Sequence, residues 1–212
     1  MDESRAREEI CSVGASLFAR GLTFGSSGNI SVRTADGGWL MTPTNVSMGS
    51  LDPARLSQFE ASGRLVSGDK PTKEAFLHLC MYRQRASATA VVHLHSTHSV
   101  AASILSDVNS DDVLPPLTAY YVMRVGRLPL VPYFAPGDDA LSSAVEKLAG
   151  RHHAVLLANH GPVVAGTSLA NAQFAIEELE ETAKLFLMLR SQPIQPLSHE
   201  QVADLRRRYD VP

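Results

Sequence analysis

The 212-residue sequence predicts a layered α/β domain built on a mixed sheet. Three observations point there. Segments with apolar residues every three or four positions alternate with short runs of strand character. Two pairs of those runs, within 30–42 and 154–165, lie close enough to form hairpins, which argues against a purely parallel sheet. Apolar residues make up 44% of the chain and are spread evenly along it, so residues 1–212 read as a single domain.

From Glu8 to Gly21, the residues Ile10, Val13, Gly14, Leu17 and Phe18 recur at helical spacing, and Gly21 is placed to end the helix. A small-residue loop, Thr23 to Asn29, leads into strand-like Ile30 to Val32. After a turn at Asp36-Gly37-Gly38 comes a partner strand at Trp39 to Thr42. Pro71 and Thr72 are suited to start a helix with Phe76, Leu77, Cys80 and Met81 inward, which puts Glu74 in its first turn. Ala90 to His95 reads as a buried strand, Asp107 to Pro116 as a loop, and Leu128 to Tyr133 as β-like but broken by prolines. Beyond Pro136-Gly137-Asp138, Leu141, Ala144, Val145 and Leu148 share a helix face that Gly150 closes. Strands at Ala154 to Ala158 and Pro162 to Ala165 follow. Ser168 then caps a long helix carrying Ala172, Ile176, Leu179, Ala183 and Phe186, with Glu177, Glu178, Glu180 and Glu181 as its solvated face. Ser198 and Gln201 form a capping box for a final helix bearing Val202, Leu205 and Tyr209.

Composition excludes several classes of partner. The net charge is −3 and no run of Lys or Arg is dense enough to track nucleic acid or an anionic membrane. No stretch of about 18 apolar residues could span a bilayer, and no cleavable apolar segment follows the charged residues 1–10. Cys11 and Cys80 sit in apolar helical patterns without a CxxC pair and read as buried free thiols, which suits a cytoplasmic protein. Neither G-x-G-x-x-G nor a Walker loop opens a helix after a strand, which disfavours nucleotide enzymes of those types.

Strand alternation puts His93 and His95 on one side of Ala90 to His95 and Val92 and Leu94 on the other. Two imidazoles on one face can be chance or the start of a metal site, and a catalytic zinc needs about three protein ligands plus an open position. His160, in the turn Asn159-His160-Gly161-Pro162 after a buried strand, is the best third candidate. His98 is out of register and reads as structural; His78, His152, His153 and His199 read as packing or surface residues. Glu74 is either a first-turn carboxylate on the helix dipole or an acid/base group beside a metal pocket. The same turn offers amides, the Thr72 hydroxyl and the Lys73 ammonium to phosphate. Gly25-Ser26-Ser27-Gly28-Asn29 is either a plain turn or a second anion-contacting wall.

Gly28-Asn29-Ile30-Ser31, Thr42-Pro43-Thr44, Pro71-Thr72-Lys73-Glu74, His93-Leu94-His95 and Asn159-His160-Gly161 together resemble the class II aldolase/adducin family over nearly the whole chain. The resemblance implies a three-layer α/β/α fold with a mixed, largely antiparallel sheet. It also implies Zn2+ or another divalent transition metal on His93, His95 and His160, with Glu74 at the metal as acid/base. Phosphate falls to Gly28, Asn29, Thr44, Asn45, Thr72 and Lys73. A catalytic tyrosine, Tyr120 or else Tyr121, and a homotetramer with sites at subunit boundaries are likewise implied. Two positions depart from the family: Asn45 replaces a usual glycine, and Thr72-Lys73 replaces paired serines. The Pro-Thr-Lys-Glu form, the Leu-His-Ser-Thr-His run and the acidic late helix are similar to the subgroup that decarboxylates 3-oxo-tetronate 4-phosphates. The implied reaction yields dihydroxyacetone phosphate and carbon dioxide through a metal-stabilised enediolate. An aldolase acting on a ketose phosphate and a non-enzymatic adducin-like module are the alternatives.

Overall fold

The computed structural model describes residues 2–135, 138–209 and 211. Helix α1 (Glu3–Ala19) is followed by β1 (Asn29–Arg33), β2 (Trp39–Met41), β3 (Ser57–Phe59) and β4 (Leu65–Ser67). Then come α2 (Ala75–Gln84), β5 (Ala90–His93), α3 (Thr97–Ile104), α4 (Ala119–Arg124) and β6 (Leu130–Val131). The chain continues through α5 (Asp139–Ala149), β7 (Ala154–Leu157), β8 (Gly161–Gly166), α6 (Leu169–Leu189) and α7 (His199–Arg208). The strands form one sheet of eight in the order β4-β3-β2-β1-β5-β8-β7-β6. Neighbours pair antiparallel except β6 with β7, which run parallel. The expected mixed, largely antiparallel sheet is therefore present.

The twofold side-chain period of the strands feeds two cores. Ile30, Val32, Ala90, Val92, Leu94, Leu156 and Val164 pack with α1, α3, α4 and α6 on one face. Trp39, Met41, Val91, Val155, Val163 and Ala165 pack with α2 and α5 on the other. The result is the α/β/α arrangement. No helix among the described residues is long and apolar enough to cross a membrane.

Several boundaries differ from the sequence reading, each for a local reason. α1 begins at Glu3 because buried Ala6 extends the stripe of Ile10, Gly14 and Leu17, whereas Phe18 falls off it and is 39% exposed. Gly21 does end the helix: at φ 72° its N–H donates to Phe18 O, and Leu22 N–H to Leu17 O. α2 begins at Ala75 rather than at Pro71, since Pro71 bridges Pro43 in extended pairing and Glu74 takes the N-cap position. β5 ends at His93, and β6 shrinks to Leu130–Val131 among its prolines. Pro136 and Gly137, read as the lead-in to α5, lie outside the described residues; Asp138 caps that helix by accepting from Ala140 N–H. The capping roles of Ser168 and of Ser198 with Gln201 are as expected. Cys80 is buried and Cys11 half-buried, and both are free thiols.

One expectation is overturned. Glu180 is not on a solvated face: it is 6% exposed and accepts from the N–H groups of His98 and Ser99, the Ser99 hydroxyl and the His98 ring. The acid reaches from α6 to cap α3, which a helical wheel of α6 alone cannot show.

Candidate metal centre

β5 carries His93 to the central part of the sheet, where it is completely buried, and the chain turns just beyond to present His95. His160 comes from the tight turn between β7 and β8. That turn needs Asn159 at φ 58° and Gly161 at φ 145°, and a Cβ on Gly161 would lie 2.2 Å from the Leu94 carbonyl oxygen. Glycine alone lets the β8 backbone approach the end of β5 this closely. Asn159 N–H donates to Ser103 Oγ, tying the turn to α3. Glu74 arrives from the opposite layer at the start of α2.

Donor atoms of Glu74, His93, His95 and His160 all lie within 4.8 Å of one another. His93 Nε2 is 3.1 Å from His95 Nε2 and 3.5 Å from Glu74 Oε2, while His160 Nε2 is 2.8 Å from Glu74 Oε1. Burial pushes the Glu74 carboxyl up, but the combined pull of His93 and His160 outweighs it and holds the group well below the usual carboxylate range. His95 is pushed down to about 3 by burial and then by repulsion from His93 and His160. His93 moves up: burial opposes its charge, yet Glu74 and the Pro162 carbonyl outweigh that cost.

This donor set fits a divalent cation. His93 Nδ1–H donates to Pro162 O at 2.8 Å, which fixes the ring and leaves its Nε2 lone pair facing the cluster. Neutral imidazole nitrogens crowded to 3.1 Å repel one another unless a shared proton or cation lies between them. Three imidazoles and one carboxylate are a borderline-soft set of the kind that zinc and its neighbours prefer.

Beside the cluster, the Pro43–Pro71 bridge and the bond from Thr44 N–H to Lys70 O bring the Thr42–Asn45 turn against the Lys70–Glu74 turn. Asn45 is exposed at φ 59°, a left-handed conformation that asparagine tolerates better than other side-chain-bearing residues. Lys73 is exposed and Thr72 half-buried, with Thr72 Oγ1 accepting from Glu74 N–H. Gly28 at φ 77° approaches His93, where a Cβ would meet His93 O at 2.8 Å. The Asn29 carboxamide is turned inward, donating to Glu74 Oε2 at 2.8 Å.

Residues 8–187 match the Class II Aldolase and Adducin N-terminal domain. The chain belongs to that family. Among its family relatives, the 3-oxo-tetronate 4-phosphate decarboxylase of Cupriavidus necator is 52% identical over 90% of this chain and 88% of its own length. The crystal structure of YgbL from Escherichia coli, a putative aldolase/epimerase/decarboxylase, superposes with a TM-score of 0.94 at 48% identity, covering 96% of this chain and 99% of that one. L-fuculose phosphate aldolase of Escherichia coli K12 is more distant, at 30% identity over 96% of this chain and 93% of its own. These likenesses support a lyase for the family member described here.

Not every residue expected at the family's active site joins the four. Tyr120 is 60% exposed on α4 and lines a separate hollow with Arg124 and Phe174, and Tyr121 is buried in the α6-side core. A hollow of about 520 Å3 opens instead onto His95 and His160, and its rim includes Phe24 and Tyr133, which sequence reasoning passed over. His98 is structural, as expected, through Glu180. His78 is more than a packing residue: it is fully buried and bonded to both Ser31 and Asn29. Its spacing of four from Glu74 was the available signal.

Proposed function

We propose that the chain, working in the cytoplasm as one domain over residues 1–212, is a metal-dependent carboxy-lyase that converts 3-oxo-tetronate 4-phosphate to dihydroxyacetone phosphate and carbon dioxide. The observation that carries this reading is the convergence of Glu74, His93, His95 and His160 within 4.8 Å. The decarboxylase named at 52% identity supports the substrate class. His93, His95 and His160, together with Glu74, would hold the cation, for which we propose Zn2+. When bound, it supplies Lewis acidity that stabilises the negative charge developing as carbon dioxide leaves.

The remaining work falls to side chains and amides of this chain. Gly28, Thr44, Asn45 and Thr72 offer amides and hydroxyls to the phosphate, and Asn29 has a second N–H beyond the one given to Glu74. Lys73 pairs with the phosphate or holds the carboxylate before it leaves. Breaking the bond between carbons 1 and 2 sends its electron pair toward the 3-keto group. Glu74 then relays a proton taken up from solvent to carbon 2, completing dihydroxyacetone phosphate. Tyr120 faces solvent, so it serves a site only across a subunit boundary, in the homotetramer that we include in the proposal.

A second reading, an aldolase cleaving a ketose phosphate, is supported by the 30% relative, and its chemistry passes through the same kind of carbanion. An adducin-like interaction module has no use for four convergent donors. The test supplies the 3-oxo acid phosphate to the metal-loaded protein and follows dihydroxyacetone phosphate and carbon dioxide together. Both should appear; absence of turnover sinks the proposal, and aldehyde release from a ketose phosphate without carbon dioxide selects the aldolase. His95→Ala should lose bound metal by elemental analysis, and full metal content in that variant would overturn the ligand assignment.

A further inference from the structure

Glu74, His78 and Tyr82 follow one another at intervals of four at the start of and along α2, and Asn29 and Ser31 share one face of β1. Their side chains form a continuous buried line. Tyr82 OH lies 2.8 Å from Ser31 Oγ, Ser31 Oγ 2.7 Å from His78 Nδ1, His78 Nε2 2.5 Å from Asn29 Oδ1, and Asn29 Nδ2 2.8 Å from Glu74 Oε2. Tyr82, Ser31, His78 and Asn29 are each no more than 3% exposed, so water does not complete their bonding. The reaction scheme above does not use Ser31, His78 or Tyr82.

The direction of every bond in this line follows from its end. An ionised carboxylate only accepts, so the NH2 of Asn29 must face Glu74 and its carbonyl must face His78. His78 Nε2 therefore carries the proton and Nδ1 presents a lone pair, which accepts a hydrogen bond from the Ser31 hydroxyl. Ser31 in turn accepts from Tyr82. At the far end, the guanidinium of Arg33 lies 4.7 Å from the centre of the Tyr82 ring and donates to the Tyr82 carbonyl at 2.7 Å, bracing the start of the line. Donors pointing the same way reinforce one another in a low-dielectric interior.

We infer that His78 is a positioning residue: as the Nε2–H tautomer it locks the Asn29 carboxamide in one orientation, which in turn pins Glu74 Oε2, the oxygen 3.5 Å from His93 Nε2, and leaves Oε1 turned to His160. Without the His78 donor, Asn29 can flip and set its carbonyl against the carboxylate, two acceptors face to face. Glu74 then loses its only amide donor among the described residues. The inference rests on the reading of Glu74 as the acid/base group.

Steady-state kinetics of the metal-loaded protein test it. His78→Phe should lower kcat by about 10- to 100-fold with KM and metal content unchanged, the scale of loss for groups that orient active-site residues. His78→Gln, whose amide N–H can reach Asn29 Oδ1, should restore most of the loss. In a Glu74→Gln background, His78→Phe should cost nothing further. An equal loss in that background, or a His78→Gln variant no better than His78→Phe, overturns the inference. If His78→Phe does not fold, Ser31→Ala makes the same comparison with a smaller loss. Nitrogen NMR of the ring provides a readout independent of turnover: Nε2–H supports the assignment and Nδ1–H refutes it. A protein that turns over no 3-oxo acid phosphate but shows the Nε2–H tautomer would overturn the proposed function alone.

Discussion

Glu74 and Glu180 each hold a carboxylate away from bulk water beside histidines, yet their neighbours differ in kind. Glu180 meets two backbone N–H groups, a hydroxyl and a ring N–H, so its lone pairs are matched to donors that belong to the fold. Glu74 meets one amide donor and two imidazole nitrogens, with a third imidazole close by. Those imidazoles bear lone pairs as readily as protons, so the group as a whole lacks positive charge that only a cation or protons can supply. A saturated buried acid is a fastening; an undersaturated one ringed by imidazoles is a candidate site.

Substitutions at the two acids should separate these roles. Glu74→Gln is nearly isosteric and should leave the melting temperature close to that of the parent while turnover falls by about 10^2- to 10^4-fold, the usual contribution of a general acid/base. Turnover at the parental rate would remove Glu74 from the mechanism. Glu180→Ala should do the reverse. Stranding the α3 amides and Ser99 costs about 3 kcal/mol, or a melting temperature lower by about 6–12 °C, with metal content intact. Loss of metal in that folded variant would erase the distinction drawn here.

pH acts more gently and through a neighbour. Burial first and His93 second push His78 down to about 3, against about 6.5 in the unfolded chain. Below pH 6.5 the unfolded chain binds a proton that the folded chain refuses. The stability present above that pH is therefore lost as pH falls toward 3, at up to about 1.4 kcal/mol per unit. Thermal melts at pH 7 and pH 5 should show a shallower decline for His78→Gln than for the parent, by close to one proton. The smallest effect belongs to Asn45→Gly, which relieves a left-handed asparagine and should change stability by less than about 1 kcal/mol while sparing both acids. A larger shift in the melt would show that the Asn45 side chain makes a contact of its own.

How much of this could be read from the chain depends on the range of the interactions. Period-two and period-3.6 patterns depend on near neighbours, so β1, β2, β5, β7, β8 and the helices α1, α2, α5, α6 and α7 were legible, as were Gly21, Ser168 and the Ser198–Gln201 box. By contrast, β3, β4, α3 and α4 are too short to carry a clear period and were not read. The His93 and His95 pair was expected from strand alternation, although β5 ends at His93 and His95 is presented just beyond it. Their partners His160 and Glu74 were only candidates at that level, and the family motifs selected them. Element starts were less legible: α2 begins at Ala75 because Pro71 pairs with Pro43, a contact 28 positions away in sequence.

The sequence by itself determined the layered architecture, the chemical types gathered for a metal centre and the family to which they belong, because each is written in local periodicity or in short motifs. Only the tertiary structure decided that Glu180 is a buried cap and not a solvated acid. It alone placed Tyr120 away from the four donors of its own chain, and it alone joined Tyr82, Ser31, His78 and Asn29 to Glu74. These outcomes depend on which helix lies against which strand, and a hydrogen bond between residues 29 and 78 has no signature until the sheet and α2 have packed.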